Sequence, residues 1–344
     1  MKKILYVGND LKHKSINTTV MRTLGPALEK EGYTVYYTSP KKNKIFRLLD
    51  MVFSVLRYGK RVDVVFIDTY STLNFYYALT VSWLSNFFNL PYVPILHGGN
   101  LITRIKSSPI LAHRIFDNAF QNVSPSRYLY EEFKANGYNN VIHIPNFINI
   151  KDYPLTEKSY EQPKLLWVRS LADIYNPKQA ILVADKLQKK NIKLKLCMVG
   201  PDPRDKMEDL KLMASEKRVE AKFTGKLARE EWIELSKDYN LFINTANVDN
   251  MPVSVIEAMA LGFPVVSTNV GGIPFFIEQN KNGIMVQPNN IDAMTDAIMA
   301  LWRDKEKLKD ISQNARKTAA TFDWSEVKHL WIALLNRDND VKQP

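Results

Sequence analysis

An α/β protein made of two doubly wound units in tandem is what this sequence predicts, on three observations. Short apolar runs of strand length alternate with segments of helical periodicity along the chain, the pattern of parallel sheets covered on both faces. The alternation stops once, at residues 151–163 (KDYPLTEKSYEQP), a polar stretch rich in Pro, Glu and Lys, and then begins again. The length of 344 residues suits two domains of ordinary size. A hydrophobic fraction of 45% beside 24% charged residues is that of a folded chain, with a core in each half.

In the first half, strands are expected at Lys3–Gly8, Thr34–Thr38, Val62–Ile67, Tyr92–Leu96, Ala119–Val123 and Val141–Ile144. A helix over Val20–Lys30 ends at Gly32. In the second half, strands are expected at Lys164–Val168, Leu194–Val199, Val219–Phe223, Leu241–Asn244 and Pro264–Ser267. A helix starts near Val253. The last segment, Phe322–Arg337, puts Trp324, Val327, Leu330, Trp331 and Leu334 on one stripe, which reads as a packing face. Open α/β sheets bind ligands at the carboxyl ends of their strands, so chemistry is sought in the loops that follow strands.

Charge narrows the partners. Residues 1–150 carry 18 Lys/Arg against 9 Asp/Glu, and the remainder 29 against 27, so the basic excess belongs to the first half. An anionic partner is implied there: nucleic acid, an anionic membrane surface or a phosphate-bearing substrate. No nucleic-acid module is recognisable, and nucleic acid is set aside. The one cysteine, Cys197, sits in an apolar strand run and cannot form a disulfide within the chain, which suits a reducing, cytoplasmic setting. The apolar run in MKKILYVGND is too short for a signal peptide. Leu73–Leu96 is interrupted by Asn74, Asn86, Asn89, Pro91 and Pro94, a poor membrane span. Residues 41–61 hold seven basic residues and one acid, with Ile45, Leu48, Leu49, Val52, Val55 and Leu56 as an apolar helical face. That face either packs on the sheet or rests on anionic lipid as a peripheral membrane contact.

The most informative segment is NTANVDNMPVSVIEAMALGFP at 244–264, continued by VVSTNVGGIPFF. A carboxylate at Glu257, in the first turns of its helix, can accept both ribose hydroxyls of a nucleotide. The backbone amides of Val253, Ser254 and Val255 at the helix start can hold a pyrophosphate without a metal. Asp249, on the loop before, could then bind sugar hydroxyls, with Met251 and Pro252 on that loop; taken as an isolated pair, Glu257 is an ordinary first-turn acid and Asp249 a turn residue. Gly271 and Gly272 allow a second backbone segment to approach closely. There is no Asp-x-Asp metal motif, no His/Cys cluster with ligand spacing and no persuasive nucleophile. No metal and no cofactor are expected.

This segment resembles the donor-site signature of the retaining glycosyltransferases of family 4, with Asp249 and Glu257 in the places of the two acids. The first is more often Glu in that family. Arg169, MVGPDP at 198–203 with Gly200, and FTGKL at 223–227 fit the same pattern, as do HGGN at 97–100, SPS at 124–126 and IPNF at 144–147. The resemblance implies the GT-B architecture. Two Rossmann-like domains, 1–150 for the acceptor and 151–320 for the donor, face across a cleft, and a helix within 321–344 crosses back to the first. It implies Arg169 at the donor phosphates and His97 facing the transferred sugar; a structural histidine is the alternative for His97. Lys178 either replaces the lysine the family carries a few residues after the arginine or lies on the helix surface. Gly8, in the Gly8–Asn9–Asp10 loop, belongs to the acceptor and donor lining or is a plain strand-end turn.

The activity so implied is metal-independent, retaining transfer of a hexose from a nucleotide-sugar, UDP-sugar before GDP-sugar. The acceptor is a saccharide or a lipid-linked sugar, as in bacterial polysaccharide or lipopolysaccharide assembly. A catalytically inactive relative acting as a nucleotide-binding or membrane scaffold protein, and a nucleotide-sugar epimerase, are the alternatives.

Overall fold

The computed structural model describes residues 1–10, 20–98, 100–156 and 158–337. It divides into two compact units, Met1–Asn146 together with the chain from Val327 onward, and Phe147–Glu326.

The first unit runs β1 (Lys3–Val7), α1 (Val20–Lys30), β2 (Thr34–Thr38), α2 (Lys44–Tyr58), β3 (Val64–Thr69), α3 (Asn74–Phe87), β4 (Tyr92–Leu96), α4 (Leu101–Ser107), α5 (Pro109–Phe116), β5 (Asn122–Ser124), α6 (Arg127–Ala135) and β6 (Val141–His143). Its six strands are all parallel, in the order β2-β1-β3-β4-β5-β6. The strands are apolar along nearly their whole length because both faces are covered. Asn122 anchors the far side: its amide donates to the Phe116 carbonyl and the Asn140 side chain, both at 2.9 Å.

The second unit runs β7 (Lys164–Val168), α7 (Pro177–Lys189), β8 (Lys195–Val199), α8 (Met207–Glu216), β9 (Ala221–Gly225), α9 (Arg229–Ser236), β10 (Leu241–Asn244), α10 (Val253–Ala260), β11 (Val265–Thr268), β12 (Ile284–Val286), α11 (Ile291–Arg303) and α12 (Lys305–Ala320). Its sheet is again six parallel strands, in the order β12-β11-β10-β7-β8-β9. The strand β12 adds one to the expected five. It is three residues long and lies at the sheet edge, too short to show a period. Cys197 is buried on β8.

The last helix, α13 (Trp324–Asn336), begins in the second unit and ends in the first. Trp324 stacks on Phe147 with ring centroids 4.5 Å apart, and Trp331 packs on Phe66 at 5.5 Å. Its tryptophans thus serve packing.

The face of α2 departs from the single stripe expected. Val55 is buried and Leu48 and Val52 partly so, whereas Ile45, Leu49 and Leu56 point outward. The helix is apolar on more than the side that meets the sheet. Among the described residues no helix is long and apolar enough to cross a membrane.

Candidate active site

In the second unit the ends of three strands and the start of one helix bring charged groups together. Arg169 follows β7, and its amide donates to the Val199 carbonyl at 2.9 Å. Gly200, just past β8, lies so close that a Cβ there would fall on the Arg169 carbonyl oxygen. A side chain at 200 is therefore excluded by the strand-end turn that presents the arginine.

The Arg169 guanidinium pairs with the Asp249 carboxylate and stacks over the Tyr175 ring at 4.5 Å. Asp249 is 7% exposed. Burial pushes its pKa up, while Arg169 and the Asn250 amide pull it back toward the charged form. Asp249 is held from behind as well. Gly271, at φ +50°, sits where a Cβ would meet the Asp249 carbonyl, and Gly272 donates its amide to that carbonyl at 3.0 Å. The Gly-Gly pair therefore fixes the Asp249 backbone through a left-handed turn.

After Asp249, Met251 is partly buried and Pro252 buried, and Pro252 caps α10 in extended geometry. The Val255 amide is spent on the Pro252 carbonyl at 3.1 Å. This corrects the expectation of three open amides. Among the described residues, those of Val253 and Ser254 have no acceptor and remain for a ligand.

Glu257, one turn on, accepts a 2.6 Å hydrogen bond from the Tyr153 hydroxyl. Burial pushes its pKa up to about 7, opposed by that bond and by the charges of Arg229 and Arg169. Several polar atoms beside this loop are buried without a partner: Arg169 Nε, Asn247 Oδ1 and both side-chain polar atoms of Asn250. Buried polar groups ordinarily find partners, so this concentration marks the loop as a place for a polar ligand.

Lys178 takes the surface position. It is exposed in the first turn of α7, and its charge is felt by Asp173. Beneath the arginine, where a second cation was sought, stands the Tyr175 ring. Tyr153, Tyr175, Asn247 and Asn250 were missed by sequence reasoning. Tyr153 meets Glu257 across 104 residues, which no local pattern announces, while Tyr175, Asn247 and Asn250 lie close in sequence to Arg169 or Asp249 without a feature that sets them apart from turn residues.

In the first unit, His97 is 9% exposed and its Nε2 lies 3.0 Å from Asp68 Oδ1, at the end of β3. Tyr6 donates its hydroxyl to the same oxygen at 3.1 Å, and the Tyr70 ring packs on the imidazole at 4.9 Å. Burial, with Asp68 adding, pushes the Tyr70 hydroxyl pKa up. Gly8 sits directly over Asp68, whose Oδ2 is buried without a partner. Gly99 of the HGGN run lies outside the described residues. Asp68 was not singled out from sequence, although a lone carboxylate in the buried strand VVFIDT is a usable signal.

A carboxylate on Nε2 holds that nitrogen protonated and leaves Nδ1 as the ring's open acceptor. Asp68 is thereby a positioning residue for His97. Asp68→Asn offers a donor instead and favours the opposite tautomer. Turnover at this site is expected to fall by about 10- to 100-fold, the worth of a buried hydrogen bond to a charged group, with KM nearly unchanged. Nitrogen NMR of the His97 ring should show the protonated nitrogen exchanged.

Two six-stranded, fully parallel α/β units of this kind define the GT-B architecture, and solved structures agree. Sucrose-phosphate synthase of Thermosynechococcus elongatus superimposes with TM-score 0.77 at 15% identity, over 97% of this chain and 99% of that one. HepE of Anabaena, in complex with UDP and glucose, gives TM-score 0.77 at 18% identity with the same coverage.

Residues 153–318 match the family model of glycosyl transferases group 1, so the second unit carries a domain of that class. Among curated proteins, the sulfoquinovosyl transferase SQD2 of Arabidopsis thaliana is 28% identical over 145 residues, 41% of this chain and 27% of its own length. A probable sucrose-phosphate synthase of Oryza sativa subsp. japonica is 31% identical over 109 residues, 32% of this chain and 11% of its own length. The chain thus spans about a tenth to a quarter of the length of these relatives.

Proposed function

We propose that this chain is a glycosyltransferase that moves a hexose from a nucleoside-diphosphate sugar to a saccharide or lipid-linked acceptor. The observation that carries the reading is the meeting of the Arg169 guanidinium, the open amides of Val253 and Ser254, and the Glu257 carboxylate beside partnerless polar atoms. The amides and Arg169 take the diphosphate, and Glu257 takes the ribose hydroxyls. Asp249 holds Arg169 and leaves its second oxygen for the sugar.

Catalysis in this reading is positioning plus stabilisation of charge on the leaving diphosphate. It needs no metal and no cofactor. The acceptor enters on the face the nucleotide leaves, so transfer is retaining. His97, set by Asp68, is the first unit's candidate for the transferred sugar, and Gly8 lies over Asp68. A cytoplasmic site with peripheral attachment to an anionic membrane, and a role in surface polysaccharide assembly, belong to the same reading. HepE bound to UDP-glucose, the Staphylococcus aureus poly(ribitol-phosphate) α-N-acetylglucosaminyltransferase and the lipopolysaccharide galactosyltransferase WaaB support a uracil nucleotide and a surface-glycan acceptor.

Melting the purified protein with UDP, GDP, ADP and their sugars, without divalent metal, tests the reading. At a hundred times its dissociation constant the correct nucleotide adds about 2.7 kcal/mol of stability. No shift with any of them would overturn it.

A further inference from the structure

The helices α2, α3 and α5 pack in one core cluster of the first unit, and their outward sides form a surface the active site does not use. The helix α3, NFYYALTVSWLSNF, has no charged residue in fourteen, yet Tyr76, Trp83 and Phe87 are 44, 64 and 69% exposed. Trp83 stacks on Phe87 at 6.1 Å, and Phe88 meets Phe87 edge-on at 5.2 Å. Beside it, α2 exposes Ile45, Phe46, Leu49, Phe53 and Leu56, each more than half. The Tyr77 hydroxyl ties the two helices by donating to the Lys44 carbonyl at 3.0 Å. On α5, which packs on α3, Ile110 is 69% exposed.

A helix covering a sheet normally turns its apolar side inward and its charges to water. These helices bury one apolar side and expose another. Exposed apolar side chains gathered on helices that pack side by side mark an interaction site.

Charge says what covers it. Lys41, Lys42 and Lys44 at one end of α2, and Arg57, Lys60 and Arg61 at the other, are all exposed. The one acid between them, Asp50, is partly buried and accepts a hydrogen bond from Thr38 Oγ1 at 3.1 Å. Exposed aromatic rings between basic ends, with no outward acid, match a bilayer interface: rings enter the acyl boundary while cations reach lipid phosphates.

We propose that the α2–α3 face docks this protein on an anionic lipid bilayer, with both helices lying in the interface plane. The inference deepens the membrane element of the proposed function, and it is tested apart from transfer. Full-length protein is floated with vesicles of phosphatidylcholine alone or mixed with phosphatidylglycerol. Binding is expected to be at least about tenfold tighter to the anionic vesicles. The Trp83→Ser/Phe87→Ser pair and, separately, Phe53→Ser should each weaken it by about tenfold. Lys41→Gln/Lys42→Gln/Lys44→Gln should remove most of its salt dependence.

The nucleotide-induced melting shift should be unchanged in every variant. A lost shift in wild type sinks the transfer reading, whereas equal vesicle binding by wild type and variants sinks this one. Absence of vesicle binding also overturns it, as does a wild-type dimer that Trp83→Ser/Phe87→Ser dissociates in a sedimentation experiment.

Discussion

Arg169→Ala is expected to lower the kcat of sugar transfer by about 10²–10³-fold, the usual cost of losing one preorganised donor to developing charge. The guanidinium is fixed on three sides: Asp249 pairs with it, Tyr175 lies under it, and its backbone is locked between Val199 and Gly200. It therefore meets the leaving diphosphate with little reorganisation. Arg169→Lys keeps the charge but loses the planar fork that stacks on Tyr175, and should fall between the two.

Removing Arg169 also leaves Asp249 buried without its cation. Burial already favours the protonated form of this carboxyl, and without Arg169 its folded-state pKa rises further. The folded variant then holds a proton that its unfolded chain releases, so its stability relative to wild type falls as pH rises. Steady-state kinetics beside denaturant titrations at several pH values separate the two effects. An unchanged kcat in Arg169→Ala would remove Arg169 from the chemistry.

The groups of the second unit differ in how far sequence exposes them. Asp249, Glu257 and the α10 amides lie within nine consecutive residues, so one segment displays their spacing. Lys178 shows the limit of that logic. The resemblance left it either as a stand-in for the lysine that the family carries a few residues after the arginine or as a helix-surface residue; the 3₁₀ turn Asp173–Tyr175 and the left-handed Asn176 lead into α7 with Tyr175 against Arg169 and Lys178 exposed. The Tyr6–Asp68–His97 cluster joins the interior or end of three separate strands, β1, β3 and β4. Its members become neighbours only through strand order. The pairing of Tyr153 with Glu257 is likewise tertiary. The exposed half of α2 was hidden for another reason: apolar residues at Ile45, Leu49 and Leu56 satisfy helical spacing whichever way they face, and only packing divides them from Leu48, Val52 and Val55.

Glu257→Ala is expected to weaken nucleoside-diphosphate binding by about 100-fold or more, because two hydrogen bonds to a charged acceptor are each worth roughly 1.5–3 kcal/mol. The pH dependence identifies the carboxylate. Burial raises its pKa from an ordinary 4.5 to about 7, so between these values the folded protein holds a proton that the unfolded chain has released. Stability without nucleotide should fall as pH rises from 4.5 to 7, by at most about 3 kcal/mol, and level off above. Ribose hydroxyls donate to the ionised form and pull the pKa back down, so binding near pH 6 expels a proton and affinity climbs toward pH 8. The nucleotide's own phosphate titrates in the same range, which makes Glu257→Gln the necessary companion: it cannot ionise, and the part of the pH dependence it abolishes belongs to the carboxylate. Calorimetry in buffers of different ionisation heat counts the released proton directly. If Glu257→Gln binds as tightly as wild type with the same pH profile, the ribose is held elsewhere, and the Tyr153–Glu257 bond is a structural link between α10 and the segment after Asn149.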